Sequence, residues 1–102
     1  MKHFYLLILL LTTLLSFAQD GRKEGDIAGF KLYPNPAVNG KVFISTASNA
    51  PKKVLIFDVL GTKVLETTIL GKELDLSELD AGVYVLRVFE KDQVATRKLI
   101  VK

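Results

Sequence analysis

Cysteine is missing from all 102 residues. Its absence excludes disulfides, thiol nucleophiles, thiolate metal sites and lipid attachment at an N-terminal cysteine. Histidine is almost as scarce. The single one is His3, inside the leader described below, so the mature chain has no imidazole for catalysis or for a metal. Hydrolase triads and zinc sites of the usual composition are thereby excluded. A dominant charge is lacking too. The formal net charge is +3, with acidic residues interspersed among basic ones, which is no footprint for nucleic acid. No segment outside the leader carries a helical period of apolar residues.

What is present begins with a leader. Residues 1–18 read as a secretory signal peptide: Lys2 supplies the positive start, 4–11 is an unbroken apolar run, and Ser16-Phe17-Ala18 is a small-x-small site. The spacing predicts cleavage by signal peptidase between Ala18 and Gln19. The apolar run is short for a bilayer span and has no positive stop-transfer cluster after it, so no stable membrane span is expected. Residues 19–29, QDGRKEGDIAG, are rich in glycine and charge. They are expected to bury no apolar surface and to form a flexible lead-in.

From 30 onward the chain alternates between β-prone runs and turn signals. Strands are expected at 30–33, 41–45, 53–58, 63–68, 73–77, 83–89 and 94–101. Pro34 and Pro36 flank Asn35 and are expected to hold it extended and outside any ladder. Asn39-Gly40 marks a turn, and 46–51 is a polar loop. KVLIFD at 53–58 is almost wholly apolar, the pattern of a central strand covered on both faces. Gly61 fits a positive φ in the turn after it, where Asp58 can accept from backbone amides. Asp80-Ala81-Gly82 breaks the chain before 83–89, with Gly82 as the permissive corner residue. Tyr84, Leu86 and Val88 should face the core, and the Tyr84 hydroxyl should find nearby backbone.

Short strands at this spacing describe an all-β, antiparallel β-sandwich of about seven strands, of immunoglobulin-like kind, preceded by a signal peptide. A chain of this length makes one domain. Its expected core is Val42, Ile44, Val54, Ile56, Val64, Leu74, Leu76, Leu79, Tyr84, Leu86, Val88 and Ile100.

The remaining candidates for chemistry are carboxylates. Glu73, Asp75, Glu78 and Asp80 cluster at one corner, yet their spacing matches no calcium loop and no motif fixes a glycosidase pair. They read as solvated turn acids. The glycines have no phosphate-loop spacing, and Tyr5, Tyr33 and Tyr84 make no stacking platform. Neither a catalytic residue, a cofactor nor a metal is expected. Arg97, Lys98 and Lys102 concentrate positive charge in the last strand, where they serve either as edge protection or as an exposed address.

Five motifs occur in order: Tyr33-Pro34-Asn35-Pro36; Val54-Leu55-Ile56-Phe57-Asp58 with Gly61; Leu74-Asp75-Leu76-Ser77 with Leu79; Ala81-Gly82-Val83-Tyr84; and Lys98-Leu99-Ile100-Val101-Lys102. Together they resemble the type A C-terminal sorting domain of the type IX secretion system of Bacteroidetes, over 30–102. The resemblance implies a seven-stranded immunoglobulin-like sandwich without enzymatic activity. It implies export through the periplasm to the cell surface or the medium. The implied partners are an outer-membrane translocon, a shuttle protein and a sortase that removes the domain. The leading reading is that this machinery reads the sheet edge and the basic C-terminal end as the address. The sorting-motif residues are then Tyr33, Pro34, Asn35, Pro36, Asp58, Gly61, Leu74, Asp75, Leu76, Leu79, Gly82, Tyr84, Lys98 and Lys102. Members carry a large cargo upstream, whereas here only 19–29 separates leader and domain. The other reading is a small adhesive or structural sandwich at the cell surface that binds protein or glycan. The leader generates one expectation common to both: mass spectrometry of the exported protein shows Gln19, free or cyclised, as its first residue, and a mature form retaining 1–18 rejects the export reading.

Overall fold

The computed structural model describes residues 26–102. The expected leader, the expected cleavage site at Ala18 and Gln19, and 19–25 lie outside the described residues. Seven strands follow in order: β1 (Lys31–Tyr33), β2 (Lys41–Ser45), β3 (Lys52–Phe57), β4 (Lys63–Ile69), β5 (Glu73–Asp75), β6 (Gly82–Glu90) and β7 (Gln93–Val101). They form two sheets, β1-β2-β5 and β4-β3-β6-β7, with antiparallel pairing throughout. The expected all-β sandwich is what the chain builds.

The core lies between the sheets, and strand periodicity decides who joins it. Successive side chains on a strand point to opposite faces. In β6, Tyr84, Leu86 and Val88 therefore point inward together, and all three are buried. They meet Val54 and Ile56 of β3 and, from the other sheet, Val42, Ile44 and Leu74. The Tyr84 hydroxyl donates to the Asp80 carbonyl at 2.7 Å, which satisfies the polar end of a ring that is otherwise buried.

Several expectations fail, each for a physical reason. Leu99 and Val101 are buried and Ile100 is not, because β7 pairs Leu99 with inward-facing Tyr84 and Ile100 with outward-facing Val83. Val64 is exposed and Leu65 takes the half-buried inner position. A bulge between Ile56 and Phe57 of β3 shifts the register there, so that Ile56 opposes Leu65 and Phe57 opposes Lys63. Leu79 is half-buried against the core rather than within it. β3 is central in its sheet but covered on one face only: Leu55 and Phe57 remain partly exposed. Gly82 has no positive φ and simply opens β6, where a Cβ would make ordinary contact with the Tyr84 ring at 3.7 Å. The left-handed turn glycines are Gly29, Gly40 and Gly61.

The lead-in also ends sooner than its composition implies. Ile27 is buried, and the Ala28 carbonyl accepts from the Ala47 amide at 2.9 Å. The supposed polar turn and loop at the far end of β6 hide a further network. Lys52 and Glu90 are both buried, with Nζ and Oε2 3.1 Å apart. Thr46 and Ser48 donate to the two oxygens of Glu90 at 2.6 and 2.8 Å, and Lys52 also donates to the Ala50 carbonyl at 2.7 Å. Burial pushes the Glu90 carboxyl up, but Thr46, Ser48 and Lys52 together outweigh it and hold the group below the usual carboxylate range.

The face assignment of β7 has a direct consequence. Leu99→Ala is expected to cost about 2–5 kcal/mol in urea unfolding, and Ile100→Ala about 1 kcal/mol or less. The reverse order would place the register of β7 one residue away from that described.

Candidate functional site

The motif residues are divided between core and surface, and most gather at one end of the sandwich. That end contains the β1–β2 connection, the β3–β4 turn, the corner after β5 and the meeting of Gly82 with Val101.

The Tyr33-Pro34-Asn35-Pro36 segment lies along the outer edge of β7. Both X–Pro bonds in it are cis. The segment does not stand apart from the ladder as expected. Asn35 Nδ2 donates to the Lys98 carbonyl at 2.8 Å, and its Oδ1 accepts from the Ile100 amide at 3.0 Å. One primary amide thus does what an adjoining strand would do, offering a donor and an acceptor at strand spacing. Ala37 continues the pairing with true backbone. Its amide donates to the Ile100 carbonyl at 2.8 Å, its carbonyl accepts from the Lys102 amide at 2.9 Å, and it forms a parallel bridge with Val101. Asn35, Lys98 and Lys102 are therefore brought together through backbone, while both lysine side chains remain exposed. Tyr33 stacks on Phe43 with ring centroids 5.7 Å apart.

The basic end is less concentrated than its sequence. Arg97 pairs with Asp26 at 2.9 Å and lies over the Phe30 ring at 4.7 Å. That hydrogen bond holds the Asp26 carboxyl below its ordinary range. Lys98 and Lys102 project separately from it.

Asp58 and Gly61 build the β3–β4 turn. Oδ1 of Asp58 accepts from the amides of Leu60 and Thr62 at 2.9 and 3.0 Å. Its backbone amide donates to the Thr62 carbonyl, and its carbonyl accepts from Gly61. Gly61 has φ +85°, a conformation that L side chains rarely adopt. This tight knot presents Val59 and Leu60 to solvent, 73% and 88% exposed. Sequence reasoning found the turn and missed the apolar tip, although Val-Leu between the turn acid and its glycine is the signal for it.

Leu74, Asp75, Leu76 and Leu79 form the third element. Leu74 and Leu76 are buried; the Leu76 amide donates to the Gly40 carbonyl at 2.7 Å. Asp75 Oδ1 accepts from the Ser77 amide at 2.9 Å, and that bond lowers the Asp75 carboxyl pKa. Beside them runs a groove of about 300 Å³ between β4 and β5, lined by Leu65, Ile69, Leu74 and Leu79 and edged by Glu73 and Glu78. Asp80 uses its backbone carbonyl on Tyr84. Among the described residues no group of three histidines, cysteines or carboxylates could hold a metal, and no helix is long and apolar enough to cross a membrane. The geometry offers surfaces and turns.

Against known protein families, residues 31–102 match the secretion system C-terminal sorting domain. The chain belongs to that family. The family expected from the five motifs is the one found, and its match runs from the first residue of β1 to Lys102. No curated protein matches the chain. Among solved structures the fold is similar to PorZ, described as an essential bacterial surface component of the type IX secretion system of Porphyromonas gingivalis. The TM-score is 0.56 at 22% identity, over 72% of this chain and 11% of that one. This sorting-domain chain thus spans about a tenth of PorZ, and at that identity the likeness concerns the fold alone.

The Asn35 clamp gives this site its test. Asn35→Ala removes both side-chain hydrogen bonds to β7 and is expected to lower stability by about 1–3 kcal/mol. The Ile100 amide should then exchange with solvent much faster, while the core amides of β6 keep the protection set by global unfolding. Unchanged exchange at Ile100 would show that the clamp does not close the edge.

Proposed function

We propose that residues 30–102 are a sorting address that routes the protein through the type IX pathway, and that the domain itself catalyses nothing. Signal peptidase removes 1–18 between Ala18 and Gln19. The folded domain is then taken from the periplasm by the outer-membrane machinery: a translocon, a shuttle protein and a sortase. The product reaches the cell surface or the medium. Carrying this reading is the family match over 31–102, which coincides with the seven-stranded fold.

The placement of the motif residues supports a division of labour. Leu74, Leu76 and Tyr84 hold the fold, and Asn35 and Asp58 fix its edge and one turn. Lys98 and Lys102 spend only backbone on that fixing and keep their ammonium groups in solvent. These two ammonium groups are the charged part of the motif's last segment that is open to a receptor. β7's outer edge is not, because Asn35 and Ala37 already occupy it.

A reporter enzyme placed between a signal peptide and residues 19–102 tests the reading. It should appear on the surface of type IX-secreting cells and remain periplasmic in cells lacking the translocon. Lys98→Ala with Lys102→Ala should leave the melting temperature nearly unchanged and reduce surface delivery. Equal surface delivery with and without the translocon would reject the sorting role and favour the adhesive sandwich.

A further inference from the structure

A sheet face that looks into water normally carries polar residues at alternate positions. The outer face of β4-β3-β6-β7 does so at Lys53, Glu66, Arg87, Thr96 and Lys98, but much less at the end nearest the β3–β4 turn. Leu55 and Phe57 of β3, Val83 and Val85 of β6 and Ile100 of β7 all lie on it, none of them fully buried. The register makes them neighbours: Val85 opposes Phe57, and Val83 opposes Ile100. Val64, 39% exposed, lies beside Phe57 at the bulge. The exposed Val59-Leu60 tip stands at the same end, held by the Asp58 turn. A contiguous apolar surface of this kind on a folded domain marks an interaction site.

Charge defines what fits there. Glu66 is the one carboxylate among the described outward positions of these strands, and it is held by Lys53 and Lys63. Lys98 opposes Val85 in the register and projects into solvent at the β7 side, with exposed Lys102 beyond it. On the strands themselves the charge left over is positive. We propose that this face and the Val59-Leu60 tip dock a protein surface with an apolar centre and a carboxylate rim, and that this surface belongs to the outer-membrane secretion machinery; the assignment of the partner rests on the sorting role above. A protein fits better than a bilayer because the exposed tip carries no aromatic ring to anchor in a lipid interface and Phe57, the aromatic beside it, is only partly exposed. The tip is also locked by the Asp58 hydrogen bonds, so docking costs little ordering.

Binding of the mature chain to purified, detergent-solubilised translocon, and separately to vesicles of anionic phospholipid, tests this. The parent should bind the translocon and not the vesicles. Leu60→Asp with Val85→Glu should weaken binding by at least about tenfold, and Lys98→Glu should weaken it with loss of salt sensitivity. Leu70→Asp, at a strongly exposed apolar residue beyond the opposite end of β4, should bind like the parent. Should the charged pair fail to fold, the isosteric Val83→Thr with Val85→Thr, checked by an unchanged melting temperature, takes its place. Parent-like binding by the folded face variants overturns this surface and leaves the sorting role standing. A parent that does not bind the translocon overturns both. Vesicle binding lost in the same variants makes the occupant a lipid and overturns the proposed partner.

Discussion

An antiparallel sandwich has edges, and each edge is a row of backbone donors and acceptors that must find partners or water. In this chain the edge of β7 is closed by a side chain. The amide of Asn35 reaches the Lys98 carbonyl and the Ile100 amide, and Ala37 takes the next positions as backbone. β6 sets the register of the last strand, and this contact closes its free edge. Val101 is buried where Ala37 bridges to it, so the segment between β1 and β2 is tied into the core at the point where the chain would otherwise fray.

The other end is fixed by a different device. Lys52 and Glu90 form a buried ion pair, with Thr46, Ser48 and the Ala50 carbonyl supplying the remaining hydrogen bonds. No described buried side-chain polar atom lacks a partner. Desolvating two charges offsets much of their attraction, so such a pair adds little net stability over apolar packing. Its geometry nevertheless ties the 46–51 loop, the start of β3 and the end of β6 to one another. A one-residue slip of β3 against β6 would leave a buried charge unpaired, which is far more costly than the pair is favourable.

The strands were legible because their alternation is local. The inward set of β6, Tyr84, Leu86 and Val88, follows from one polar residue, Arg87, that marks the opposite face. Lys98-Leu99-Ile100-Val101-Lys102 carries no such mark within its apolar triplet. Its parity is set by pairing with β6, which no local pattern contains. Val64 was misplaced for a related reason: a bulge inserts a residue without any sequence signature. Lys52 and Glu90 are separated widely in the chain, and each alone looks like a solvated turn residue. Asn35 was legible as a motif position and not as a clamp, since its partners lie more than sixty residues away in β7. Asp58, by contrast, accepts from amides two and four residues on, and its role was readable directly.

Closing an edge also limits how the domain can be read. A partner that added a strand beside β7 would have to displace four hydrogen bonds made by Asn35 and Ala37. β4, the opposite edge of the same sheet, is guarded differently. Glu66, near its middle, is held between Lys53 and Lys63, so that edge strand carries charge. Recognition by strand addition is therefore disfavoured at the β7 edge, and the outer face of the sheet is accessible without displacing the bonds of Asn35 and Ala37. That face is where Leu55, Phe57, Val83, Val85 and Ile100 depart from the polar alternation that solvent alone would favour. The same apolar run that made β3 look doubly covered in the sequence is, in the fold, a central strand with one covered side and one side left for a partner.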